Sequence, residues 1–130
     1  MTFPEFLQEV KKLKREELRV EEAEYLEIVV AKEDLAPLHK VLSAHLGSPL
    51  KPEGQVPSRE ADRRAKLYGG VRKDQTMYFR QGSDGCVCVL LWPWGSGTRI
   101  TVKIIRDGDA LPPESSGKSS FLGRLFGRKQ

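Results

Sequence analysis

Between Gln75 and Arg106 three β-rich runs follow one another, separated by two short turns that carry glycine. The runs are Gln75 to Gln81, Cys86 to Trp94 and Thr98 to Arg106. The turns are Gly82-Ser83-Asp84-Gly85 and Gly95-Ser96-Gly97. β-Branched and aromatic residues bounded by such turns form hairpins, so an antiparallel meander is expected here. A meander this apolar must bury a face, and the rest of the chain has to supply the cover.

The turn lengths predict a register. A four-residue first turn pairs Gln81 with Cys86, Phe79 with Cys88 and Met77 with Leu90. A three-residue second turn pairs Trp94 with Thr98, Trp92 with Ile100, Leu90 with Val102 and Cys88 with Ile104. One face then gathers Met77, Phe79, Cys88, Leu90, Trp92, Ile100, Val102 and Ile104, all apolar. Helices are expected to cover it. The other face gathers Thr76, Tyr78, Arg80, Val87, Val89, Leu91, Arg99, Thr101, Lys103 and Ile105. This mixed face is expected to stay open.

Upstream, Thr2 and Glu5 form a T-x-x-E capping box, and Pro4 falls in the first turn of a helix. Phe3, Phe6, Leu7, Val10, Leu13 and Leu18 recur at three- and four-residue spacing. Tyr25 to Val30 is β-branched and reads as a strand. Lys32-Glu33-Asp34 opens a second helix with the stripe Leu35, Leu38, Val41, Leu42 and Leu46, and Gly47 stops it. Residues 47–58 carry three prolines and two glycines and read as a loop. Ser58 caps a short basic helix from Arg59 to Leu67, which Gly69-Gly70 ends.

The expected fold class is therefore α+β: N-terminal helix, strand, helix, short helix, then the three-stranded meander. The first strand joins the same sheet, making about four strands, with helices packed on one face. One domain spans residues 1–106, a flexible linker 107–120, and an apolar-basic tail 121–130. In 130 residues there is apolar material for one core. No apolar run reaches the length of a membrane span.

Charge is uneven along the chain. Residues 1–34 carry a net −4, residues 35–70 a net +3, residues 71–110 a net +2 and residues 111–130 a net +3. A basic body permits attraction to nucleic acid or an anionic surface without specifying either. Two cysteines and no export signal point to a reducing, cytoplasmic setting. Cys86 and Cys88 lie two apart in a strand and are read as buried thiols.

Catalytic motifs are not apparent. Ser116-Gly117-Lys118-Ser119 ends like a phosphate-binding loop, but the required upstream glycine is Pro112. Cys86, Cys88, His39 and His45 do not have zinc-ligand spacing, so neither a metal nor a cofactor is called for. No nucleophile elbow occurs. The leading expectation is a non-enzymatic protein-interaction module whose partner is an unidentified protein or a second copy.

Two surfaces carry that expectation. The tail places Phe121, Leu122, Leu125 and Phe126 in one stripe beside Arg124, Arg128 and Lys129, which suits a partner's groove. It is short for stable membrane binding alone. Trp94, at the tip of a hairpin beyond Pro93, is an anchor residue for an interface, whereas Trp92 is expected in the core. The open sheet face with Tyr78, Arg80, Arg99 and Lys103 is the second surface. Those same cations carry the alternative reading, nucleic-acid binding, extended by the basic helix with Arg59, Arg63, Arg64 and Lys66.

Overall fold

The computed structural model describes residues 2–82 and 85–108. The tail residues Phe121, Leu122, Leu125 and Phe126, and the linker from Asp109 onward, lie outside the described residues. The chain forms α1 (Phe3–Lys11), β1 (Glu17–Glu22), β2 (Tyr25–Ala31), α2 (Leu35–Leu46), α3 (Arg59–Ala65), β3 (Thr76–Gly82), β4 (Gly85–Pro93) and β5 (Arg99–Asp107). Short 3₁₀ turns precede α2 (Lys32–Asp34) and follow α3 (Lys66–Tyr68). The five strands form one antiparallel sheet in the order β1-β2-β5-β4-β3.

The α+β class and the order of the main elements follow the sequence expectation. Local signals explain why. The Thr2 hydroxyl accepts from the Glu5 amide at 3.2 Å, and the Glu5 carboxylate accepts from the Thr2 amide at 2.8 Å, closing the capping box. Ser58 accepts from the Ala61 amide and starts α3. Gly47, with φ +85°, ends α2 where its amide bonds the Ser43 carbonyl.

Several features differ from expectation. Helix α1 ends at Lys11, and Glu17–Glu22 is a fifth strand, paired with β2 through the two-residue turn Ala23-Glu24. The β3–β4 register is as derived, with Phe79 opposite Cys88. The β4–β5 register is not. Trp92 pairs with Thr101, Leu91 with Val102 and Val89 with Ile104. The second turn holds four residues, because the Trp94 amide bonds the Arg99 carbonyl and leaves Thr98 in the loop. Asp107, assigned from sequence to the linker, pairs with Cys86 inside β5.

That one-residue change exchanges the two faces of β5. Ile100, Val102 and Ile104 now lie beside Leu91, Val89, Val87 and Tyr78, and with Leu26, Ile28 and Val30 of β2. α1 and α2 cover this face with Phe3, Phe6, Leu7, Val10, Leu38, Leu42 and Leu46. The opposite face carries Met77, Cys86, Cys88, Leu90, Ile105 and Tyr25, and α3 with its 3₁₀ extension covers those with Ala61, Ala65 and Tyr68. Helices therefore pack on both faces, because both are apolar and both must be shielded.

Lys51 closes one sheet edge. It pairs with Met77 through two backbone hydrogen bonds of 3.1 and 2.9 Å, and its ammonium is buried against the carbonyls of Lys73 and Gln75. Burial pushes its pKa down. Edge β3 is thus partly blunted, as exposed edges tend to be. Lys51→Met removes the donor while keeping the stem. It is expected to lower stability by about 1–3 kcal/mol, because two buried carbonyls lose a partner. The check is a drop in the urea midpoint at unchanged slope.

Candidate functional site

Helix α3 and its 3₁₀ extension pack over Tyr25 and Ile105 as well as over β3 and β4, and Arg19 with the two indoles lies over the rest of this face. Here β1 is bulged between Leu18 and Val20. Glu17 pairs with Val29 and Val20 with Glu27, so both lie on this face, and Arg19 at the bulge reaches it too. Re-aiming a side chain is what bulges commonly do at sheet edges. The Arg19 guanidinium lies 3.6 Å from the Glu27 carboxylate, 3.5 Å from that of Glu17, and 5.7 Å from the centre of the Trp94 ring.

Beneath this cover the sheet is polar yet buried. Glu27 is 5% exposed and accepts from the Tyr25 hydroxyl. Burial, then the Glu27 contact, raises the Tyr25 pKa and keeps the phenol neutral. Thr101 accepts from the Trp94 indole at 2.8 Å. Lys103, opposite Glu27 in the ladder, holds its ammonium 3.6 Å from the centre of the Trp92 ring. Trp92 also packs against Gly69, whose φ of +104° favours glycine and where a Cβ would sit 3.3 Å from the indole. The Trp92 Nε1 is buried with no hydrogen-bond partner among the described residues. Arg99, at the rim, lies 3.4 Å from Glu16.

The four sheet residues singled out from sequence do not share a face. Tyr78 and Arg80 lie on the face covered by α1 and α2. Arg99 and Lys103 lie on the opposite one, because β5 is turned over relative to the expected register. Tyr78 is buried, with its hydroxyl 2.7 Å from His39 Nδ1 and 3.5 Å from Ser43 Oγ. Arg80 donates to the His45 carbonyl at 2.8 Å and so places a cation at the C-terminus of α2. The β3 and β4 members of the expected open mixed face thus belong to a core face that Ile100, Val102 and Ile104 complete, with Arg80 exposed at its end. Trp94 is half-buried on the Arg19 side, and Trp92, expected in the core, is half-buried beside it.

Sequence reasoning missed Arg19, because the first helix was extended to Leu18 and no strand was expected between it and Tyr25, and it gave Glu27 no role within the expected strand Tyr25 to Val30. The period-two pattern Glu17-Leu18-Arg19-Val20 is the signal that a strand was present. The two thiols are free and buried on one face, as expected. Burial raises both pKa values, and the Tyr68 hydroxyl bridges Cys86 and Asp107 at 3.5 and 2.9 Å. Among the described residues no three His, Cys, Asp or Glu side chains gather to hold a metal ion, and no helix is long and apolar enough to cross a membrane.

Comparison with family models, with curated proteins and with solved structures found no match for this chain.

Both imidazoles titrate below their ordinary value of 6.5. Burial lowers His39 against the opposing pull of Glu53, and burial with the Arg80 cation lowers His45. The unfolded chain therefore binds more protons than the folded one once the pH drops below about 6.5, and stability falls with pH from there. Urea midpoints are expected to be level from pH 8 to 7 and to decline between pH 6.5 and 5.5. A His39→Gln, His45→Gln double variant should show a flatter profile across that window.

Proposed function

We propose that the protein is a non-enzymatic interaction module that binds another protein chain through the half-covered sheet face around Trp94. The observation that carries this reading is the combination of two half-buried indoles with a stacked guanidinium. Trp and Arg are the residue types that dominate binding energy at protein interfaces, especially when held rigid. Trp94 is held by its bond to Thr101 and by Arg19, so little side-chain freedom is lost on binding.

The electrostatics favour a protein over a polyphosphate. Arg19 faces Glu17 and Glu27, and Arg99 faces Glu16. Cations already matched by carboxylates attract a phosphate backbone weakly, whereas a mixed-sign rim suits the mixed surface of another protein. The nucleic-acid reading retains the exposed cations Arg59, Arg63 and Lys66 on and beside α3, which is a thinner basis. In the proposed arrangement the apolar-basic segment Phe121, Leu122, Leu125 and Phe126 provides a second, tethered contact. The two unpaired thiols support a reducing, cytoplasmic setting.

The test is a pull-down with the full chain, Trp94→Ala and Arg19→Ala, at low and high salt, with light scattering on the free protein to detect self-association. The expected result is a protein partner or a dimer that resists salt. Trp94→Ala should weaken it by about 2 kcal/mol or more, roughly thirtyfold. Salt-sensitive recovery of nucleic acid, unchanged by Trp94→Ala, overturns the reading.

A further inference from the structure

On the other face of the sheet a cavity of about 140 Å³ opens between the first turns of α2 and the ends of β4 and β5. Leu91, Pro93 and Ile100 line it from the sheet, and Leu35 lines it from the helix. Leu91 and Ile100 belong to the core, so the cavity has a rigid apolar wall. An apolar space of about 150 Å³ accommodates a benzene molecule. One six-membered ring is therefore the size of group this cavity takes.

Its polar groups are few and convergent, as in small-ligand sites. His39 and Thr76 line the cavity, and Lys32 and Glu53 stand there with opposite charges. His39 Nδ1 is engaged with the Tyr78 hydroxyl at 2.7 Å. Whichever of the two donates, Nε2 of the imidazole is left for a hydrogen bond to a ligand, and a hydroxyl, which both donates and accepts, suits either tautomer. Tyr78 is itself fixed in the core, which holds the ring of His39 in place. Lys32 and Glu53 offset one another, so the lining carries no net charge that would select an anionic or a cationic ligand over a neutral one.

We propose that this cavity binds a neutral phenol ring, with its hydroxyl hydrogen-bonded to His39 Nε2 beside the Glu53 carboxylate. The ring packs between Leu35 and the sheet residues Leu91, Pro93 and Ile100. The phenol is a free small molecule or the tyrosine side chain of a peptide. The site is separate from the Trp94 surface and does not depend on it.

Amide chemical shifts of the full chain, titrated with phenol, benzoate, benzylammonium and N-acetyl-tyrosinamide, test this. Saturable shifts with phenol are expected at Leu35, Thr76, Leu91, Gly97 and Ile100, with a dissociation constant on the order of 1 mM for so small a ligand. Benzoate and benzylammonium should bind at least about fivefold more weakly, and His39→Ala should cost phenol a similar factor. Tighter binding of N-acetyl-tyrosinamide than of phenol identifies a peptide side chain as the source, and the reverse order identifies a free phenol. Absence of saturable shifts at 10-fold the expected constant, shifts scattered elsewhere, or equal binding of the charged rings overturns the proposal. The ligand comparison on the unmodified protein decides the matter even if His39→Ala does not fold.

Discussion

β5 is hydrogen-bonded along its length to β2 on one side and to β4 on the other, and its register against β4 decides which side chains meet. Ile100, Val102 and Ile104 point to the α1/α2 face, and Thr101, Lys103 and Ile105 to the α3 face. A shift of one residue would bury Lys103 under two helices and turn Ile104 toward the opposite cover. Such a shift reverses every side chain in the strand at once, so the register is held by the sum of these burials. The four-residue turn at Gly95 to Thr98 follows from that register.

Both surfaces of interest are consequences of unequal cover. Helix α3 is short, seven residues before its 3₁₀ extension, and reaches only part of its face. Arg19, Trp92 and Trp94 shield the remainder, which explains how Glu27 and Lys103 are buried without a helix above them. Long amphipathic side chains can cover apolar surface while keeping their charged ends near water. On the other face, the cavity beside His39 lies between α2 and the sheet residues Leu91, Pro93 and Ile100. The two faces thus present different chemistries: indoles with ion-paired guanidinium groups on one, an apolar recess with a neutral imidazole on the other.

Much of the local structure was legible residue by residue. Thr2-x-x-Glu5, Ser58 and Gly47 mark helix ends through short-range hydrogen bonds that need no distant partner. The β3–β4 hairpin register was readable as well. The site was legible only in part. Trp94 stood out from its place beyond Pro93 at a hairpin tip, but its neighbours Arg19 and Glu27 come from strands more than sixty residues away in the chain. Lys51 had no local signal at all, since its role depends on carbonyls at Lys73 and Gln75.

The amino-acid sequence by itself determined the α+β class, the helix caps, the meander and the placement of two buried thiols on one face. These depend on spacing and on contacts between near neighbours. The tertiary structure decided the β4–β5 register, the fifth strand, the helices on both faces and the separation of Tyr78 and Arg80 from Arg99 and Lys103. The physical reason lies in the composition of the meander. Each of its strands carries apolar residues on both sides, so alternation cannot say which way a strand faces. Only the competition among whole packings, with α1 and α2 against one face and α3 against the other, selects the arrangement that leaves the least apolar surface in water.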